Sequence, residues 1–400
     1  MKRKIVRFIL WLLGIIVVIC LGVFLAFQLS PKPGAWVINQ LFAGEVEIKD
    51  SASYDKALPN VQLQENQTYP SSRKKNTFDL YYPQTSKQAV PVVLWVHGGG
   101  YVGGDKSGMK EFATRLVADS SVAFISMNYE LAPDAPYPSQ LQQVNELVQF
   151  LLEKKQAYPM LDLSKLFIGG DSAGAQIALQ YATVQTNANY AKELGMTAAL
   201  PASHLKGTLS YCGPVDLKQM ANQQSDNRFM KFFVKTVAWS LLGTKDWQTS
   251  AELQEVSLVD KVTKEFPPTY LTDGNSFSFQ DQGLALVQRL KTLNVPVSTL
   301  FFKDKKATIT HEYQFDYQTK EAKQCYQETV QFVTHDIDEA IFMANKVAIF
   351  SARPGRIKTE VAVDFPHPRD YTLKTSPEFM ALKARITEEI RTETLQTIDH

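Results

Sequence analysis

The short apolar run Leu166-Phe167-Ile168-Gly169 leads into Gly170-Asp171-Ser172-Ala173-Gly174 and then into a stretch, 173–184, whose small and apolar residues favour a helix. A strand that passes into a helix within so few residues needs a backbone free of Cβ clashes, which the flanking glycines supply. The serine is thereby held at the carboxyl edge of a sheet, with the amides of a helix N-terminus beneath whatever reacts with it. A bare G-x-S-x-G is often an ordinary turn. Between a strand and a helix, it predicts that Ser172 is a nucleophile.

The surrounding pattern supports a sheet of the required kind. Short β-branched or apolar runs at 78–82, 92–96, 122–127, 166–169, 205–211, 269–272 and 297–302 alternate with helical patterns at 141–152, 173–184 and 281–293. Strands that alternate with helices predict an α/β fold with a mostly parallel central sheet and helices on both faces. The 400 residues suit one such domain plus additional segments, and a formal charge of +1 carries no basic excess that would attract nucleic acid. There is no internal repeat.

A second glycine-rich turn comes after the strand at 92–96, reading His97-Gly98-Gly99-Gly100-Tyr101. Backbone amides that stabilise an oxyanion must approach to about 2.7–3.1 Å, which a side chain would block, and HGGG is a pattern that provides such amides. Gly98, Gly100 and Gly103 also satisfy G-x-G-x-x-G, but His97 sits at its entrance and the run is more glycine-rich than that fingerprint requires, so dinucleotide binding is not expected. A phosphate-binding P-loop is excluded by Asp105, which comes after Gly104 where a lysine would stand.

With HGGG, GDSAG and Asn128-Tyr129-Glu130-Leu131-Ala132-Pro133 leading to Pro136-Tyr137-Pro138, the chain resembles the hormone-sensitive-lipase-like branch of the α/β hydrolases over residues 76–333. The resemblance implies an α/β-hydrolase fold and ester hydrolysis through an acyl-enzyme, with no metal or organic cofactor. It implies an oxyanion hole formed by the amides of Gly99, Gly100 and Ala173. It further implies a structural role for His97, and a cap over the pocket built partly from residues 31–75.

In this fold the chain order is serine, acid, histidine. His311 comes shortly after the strand at 297–302, and His311-Glu312-Tyr313-Gln314-Phe315 is similar to the family's terminal histidine segment, so His311 is the expected base. His204 precedes any suitable acid, while His367 and His400 fall beyond the resemblance. The acid departs from the family pattern. Alignment on Pro267-Pro268 and Asp281-Gln282-Gly283 places Phe277 at its position, and a phenyl ring cannot orient an imidazole. Asp273, at the end of its strand, is the preferred candidate, although it also suits a turn before Gly274. Asp281, Glu312 or no acid at all remain alternatives. A small ester is the expected substrate, with a cell-envelope deacetylase or amidase as one alternative and a non-catalytic surface protein with a decayed triad as another.

Lys2, Arg3, Lys4 and Arg7 precede 20 uncharged residues, 8–27, enough for about 30 Å of helix. Residues 1–29 are therefore expected to be an uncleaved, single-pass membrane anchor, with 30–75 as spacer and cap segment. The basic residues predict a cytoplasmic N-terminus and an extracytoplasmic catalytic domain. Cys20, Cys212 and Cys325 have no metal-binding spacing and suggest separate thiols.

From about residue 332 the sequence changes character. The stretch that begins with Phe332-Val333-Thr334-His335-Asp336 and includes Ser351-Ala352-Arg353-Pro354-Gly355-Arg356 and Pro366-His367-Pro368-Arg369 resembles, over residues 332–400, the C-terminal end of nitrate/sulfonate/taurine-type ABC transporter ATPases. In those proteins the counterpart of His335 contacts ATP beside a Walker A loop. This sequence has no such loop, so residues 334–400 are expected to be a non-functional fragment that binds no nucleotide. An importer ATPase also works in the cytoplasm, opposite to the side predicted for this tail. The conflict points to a junction near residue 332, either a fusion or an artefact.

Overall fold

The computed structural model describes residues 2–42, 44, 47–86, 88–222, 227–302, 306–334, 341, 344–350, 357–367, 369, 373 and 376–396. The chain divides into two units, Met1–Val333 and Thr334–His400.

The first unit is built on eight strands: β1 (Val61–Thr68), β2 (Thr77–Pro83), β3 (Val90–Val96), β4 (Ala123–Met127), β5 (Leu161–Asp171), β6 (Leu205–Tyr211), β7 (Thr269–Asp273) and β8 (Val297–Phe301). They lie in the order β1-β2-β4-β3-β5-β6-β7-β8. The two pairings that involve β2 are antiparallel, and the rest are parallel. Val92 to Val96 in β3 are all fully buried, as a strand covered on both faces requires. Two hydrophobic layers do the covering. One holds Leu94, Ile125, Leu147 and Ile177, and the other holds Trp95, Phe112, Phe124 and Tyr211.

The strand order reverses at β3, whose successor β4 lies on one side and whose next neighbour β5 lies on the other. A crevice opens at the carboxyl ends of strands where the order reverses, because the crossing connections leave in opposite directions. His97-Gly98-Gly99-Gly100 succeeds β3 and Ser172 succeeds β5, so both glycine-rich turns meet at this crevice. The register pairs Val96 with Gly170, which brings the two turns side by side.

Part of the segment expected to form spacer and cap joins the sheet instead. Val61–Thr68 pairs antiparallel with β2 as the edge strand, its backbone groups satisfied by the ladder. The principal helices are α1 (Lys2–Leu29), α2 (Lys32–Phe42), α3 (Lys110–Ser120), α4 (Ser139–Glu153), α5 (Ala173–Thr186), α6 (Arg228–Leu242), α7 (Gln280–Thr292), α8 (Lys320–Thr334) and α9 (Pro377–Gln396). Within α1, Arg3–Leu29 is long and apolar enough to cross a membrane, and none of its most apolar window is buried in the protein.

The second unit contains a two-stranded antiparallel sheet, β9 (Lys346–Phe350) with β10 (Ile357–Ala362), together with α9. Its core comprises Ile341, Ile349, Val361, Val363, Phe379 and Ile386. The Arg369 guanidinium donates to the carbonyls of Ile341, Ala344 and Phe365. His335 and His400 lie outside the described residues.

Candidate active site

Ser172 stands between β5 and α5 with φ 48° and ψ −119°, a conformation that L-residues rarely adopt. The turn is over-determined by its surroundings. The Ser172 amide donates to the Tyr211 carbonyl at 2.7 Å. A Cβ on Gly174 would lie 2.0 Å from the Val96 carbonyl oxygen, and one on Gly170 would lie 2.4 Å from the Gly174 backbone. Glycine at both positions is what lets β3, β5 and α5 approach closely enough to hold the serine outward. Ala173, the first residue of α5, keeps its amide among the helix's N-terminal donors, which have no intrahelical acceptor.

The imidazole of His311 reaches this serine from the segment after β8, with Nε2 2.9 Å from Ser172 Oγ. Burial lowers the pKa of His311, and the neighbouring Asp273 opposes the shift. The ring is therefore neutral near pH 7 and able to accept the hydroxyl proton.

Asp273, the last residue of β7, lies on the far side of His311, with Oδ1 3.9 Å from His311 Nδ1. Its carboxylate accepts from the amides of Gly274 at 2.7 Å and Phe279 at 2.6 Å, while burial raises its pKa. His311 Nδ1 is buried and makes no hydrogen bond, so the imidazole–carboxylate contact is a loose one. Catalytic contacts of this length often tighten when substrate binds.

The other candidates stand elsewhere. Asp281 is exposed in the first turn of α7. Glu312 is half-buried beside Asp171, and its pKa is pushed up to about 8 by desolvation and then by the Asp171 charge. Phe277 has φ 51°, is 61% exposed and lines the mouth of the pocket. His97 is buried, stacks on Tyr129 at 4.5 Å and has Nδ1 2.6 Å from the Gly98 carbonyl; burial lowers its pKa to about 4.

The glycine turn after β3 needs its glycines. Gly99 has φ 111°, and a Cβ there would meet the Gly103 carbonyl oxygen at 2.2 Å. The Gly103 amide closes the turn onto the Gly99 carbonyl at 2.9 Å. Beneath it, Asp171 accepts from the Gly98 amide and from Trp95 Nε1, each at 2.7 Å. Gly100 and Ala173 line the cavity with Ser172 and His311, whereas Gly99 is not part of its wall.

That cavity has a volume of about 410 Å³ and an almost wholly apolar lining. Phe229, Met230, Phe233, Val237 and Leu241 of α6 contribute to it, as do Phe42 of α2, Leu217 and Trp247. The spacing of the α6 residues, three and four apart, is the sequence's signal for a helix with one apolar face.

Cys212 Sγ, the Asp273 carboxylate and His311 form a cluster of potential ligand atoms, all within 4.8 Å of one another. The chemistry of the set does not suit a metal. Burial raises the Cys212 pKa well above its ordinary value and outweighs the hydrogen bond that Gln314 Nε2 donates to the sulfur, so the group is a thiol rather than a ligating thiolate.

Comparison with known proteins fits this architecture. The BD-FAE family model matches residues 78–286, over half of the chain. The chain belongs to the BD-FAE family. Solved structures with the same fold include esterase B of Lactobacillus rhamnosis (TM-score 0.58, 21% identity, covering 73% of this chain and 92% of that one) and a bacterial heroin esterase (TM-score 0.55, 17% identity, 76% and 96%). Among curated relatives, an esterase of Gibberella moniliformis is 24% identical over 217 residues, 53% of this BD-FAE chain and 64% of that protein. A separate likeness is to ATP-binding proteins. A Brucella melitensis protein described as ATP-binding is 44% identical over 69 residues, and the Bacillus licheniformis ATP-binding protein for aliphatic sulfonate import is 44% identical over 64. The chain spans only 29% and 24% of their lengths.

Proposed function

We propose that this protein is a serine carboxylic-ester hydrolase. The observation that carries the reading is the 2.9 Å contact between His311 Nε2 and the Oγ of a serine held at positive φ over a helix N-terminus. His311 takes the Ser172 proton as Oγ attacks the ester carbonyl. The amides of Gly99, Gly100 and Ala173 hold the oxyanion, and Asp273 orients and stabilises the imidazolium. Collapse of the tetrahedral intermediate releases the alcohol, which leaves with the proton from His311. Water then repeats the sequence on the acyl-enzyme to release the acid. The reading extends to the esterase names of several relatives and structural neighbours.

The other assignments rest on the same chemistry. Residues 1–29 anchor the protein in a membrane, with the basic N-terminus cytoplasmic and residues 76–333 outside as the catalytic domain. Residues 334–400 hydrolyse no ATP, because the whole sequence lacks a P-loop lysine motif. The decisive experiment is labelling with a fluorophosphonate, which reacts only with an activated serine. Wild type should label and hydrolyse short acyl esters, while Ser172→Ala should do neither and keep its circular-dichroism spectrum. Retained hydrolysis in that variant refutes the assignment.

A further inference from the structure

The pocket, its cap and the apolar N-terminal helix share the same two elements. Only Ser30 and Pro31 separate α1 from α2, so α2 begins within about 10 Å of the end of α1. One face of α2, Gly34, Ala35 and Ile38, is buried, and Gly34 fits against Thr236 and Phe232 of α6. The rest of the helix is exposed and mixed: Trp36 is 65% exposed, Leu41 61% and Val37 37%, with the polar Lys32 and Gln40 exposed among them. Three exposed apolar side chains on so short a helix, next in the chain to the apolar α1, make a surface suited to an apolar partner.

Helix α6 ties that surface to the reaction site. Its Phe232 ring contacts Phe27, near the end of α1, with centroids 6.4 Å apart, while Phe229 and Phe233 line the cavity above Ser172. Lys245, just beyond α6, donates to the Gln28 carbonyl at 3.0 Å. The protein body is thus fastened at the very end of the apolar helix. At the cavity mouth stand Phe42, the last residue of α2, and the exposed rings of Phe229 and Phe277. Phe277 therefore presents an aromatic ring at the entrance. Lys231, Lys235 and Lys245 flank an adjoining cleft, a placement suited to phospholipid headgroups.

We propose that the uncovered face of α2 lies in the surface of the bilayer that α1 spans, and that the pocket takes its substrate from that bilayer: a membrane-resident ester with a long aliphatic acyl chain. Aromatic residues such as Trp36 are favoured at the headgroup level, and an in-plane amphipathic helix binds through its buried apolar area. The inference rests on the ester-hydrolase reading and names its substrate class. Ser172 Oγ bonds to the acyl carbon as the ester C–O bond breaks, the alcohol departs with the proton from His311, and water then frees the fatty acid and restores the serine.

The test uses the full-length protein in vesicles of ether-linked phosphatidylcholine, whose own chains offer no ester. Two substrates are compared, a long-chain monoacylglycerol dissolved in the bilayer and water-soluble p-nitrophenyl butyrate. The double substitution Trp36→Glu with Leu41→Glu should lower turnover of the bilayer ester by about tenfold or more. It should leave butyrate hydrolysis and fluorophosphonate labelling unchanged, and Trp36→Phe should retain both activities. The proposal is overturned if the acidic variant cleaves the bilayer ester as fast as wild type, if both activities fall together while Trp36→Phe also loses them, or if wild type cleaves butyrate alone. Cleavage of neither ester by wild type refutes the hydrolase reading itself.

Discussion

Replacing Glu312 by Gln should stabilise the protein increasingly as pH rises. Asp171 already receives two hydrogen bonds, from the Gly98 amide and the Trp95 indole, so it is the member of the carboxyl pair equipped to hold the negative charge. Glu312 beside it must then carry the proton, and its pKa stands at about 8 against an ordinary 4.5. A group whose pKa is raised on folding binds its proton more tightly in the native state. Its stabilising contribution is complete below 4.5 and is lost as pH climbs through 8. Across that window the wild type should lose about 1.4 kcal/mol of stability per pH unit relative to a glutamine that cannot ionise. The gap between variant and wild type should widen by about 3 kcal/mol between pH 4.5 and 7. A fixed offset from the amide's own hydrogen bonding cancels in the slope. All five tryptophans precede residue 334, so urea denaturation monitored by tryptophan fluorescence reports on the first unit alone. Parallel stability curves for the two proteins between pH 5 and 8 would refute the shared-proton reading.

Two further outcomes concern the reaction. Asp273→Asn should lower kcat by about 10⁴-fold while Asp281→Asn changes it little, because only the first carboxylate lies beside His311; equal effects would remove Asp273 from the mechanism. The acid limb of kcat/KM should fall below pH 6.5, since burial lowers the His311 pKa, and Asp273→Asn should move it lower still by removing the opposing charge. A limb above 6.5 in the wild type would show that the imidazolium is the favoured form.

The local arrangements were legible because each is dictated within a few residues. Glycine spacing around Ser172 and in the turn at 97–100 is a backbone requirement, and a backbone requirement leaves its mark on the sequence. The alternation of strands and helices likewise implied a mostly parallel sheet. The edge strand β1 escaped because Val61–Thr68 is largely polar and half-exposed, lacking the apolar run that marks the central strands. Helix α6 has a periodic apolar face, but periodicity does not say which surface a helix covers, so the sequence alone does not set it over the pocket.

Ungapped alignment put a phenylalanine at the acid's position, and sequence alone left Asp273, Asp281 and Glu312 as alternatives. Three-dimensional placement separates them. The end of β7 brings Asp273 to His311, the first turn of α7 points Asp281 to solvent, and the left-handed backbone at Glu312 goes with a side chain beside Asp171. The sequence by itself determined the serine, the glycine turns and the apolar N-terminal run, features written in contiguous residues. Which carboxylate meets the imidazole, where Phe277 points, and how α2 and α6 bring the pocket mouth to the end of α1 depend on residues tens to hundreds of positions apart. Only packing against the sheet fixes those distances.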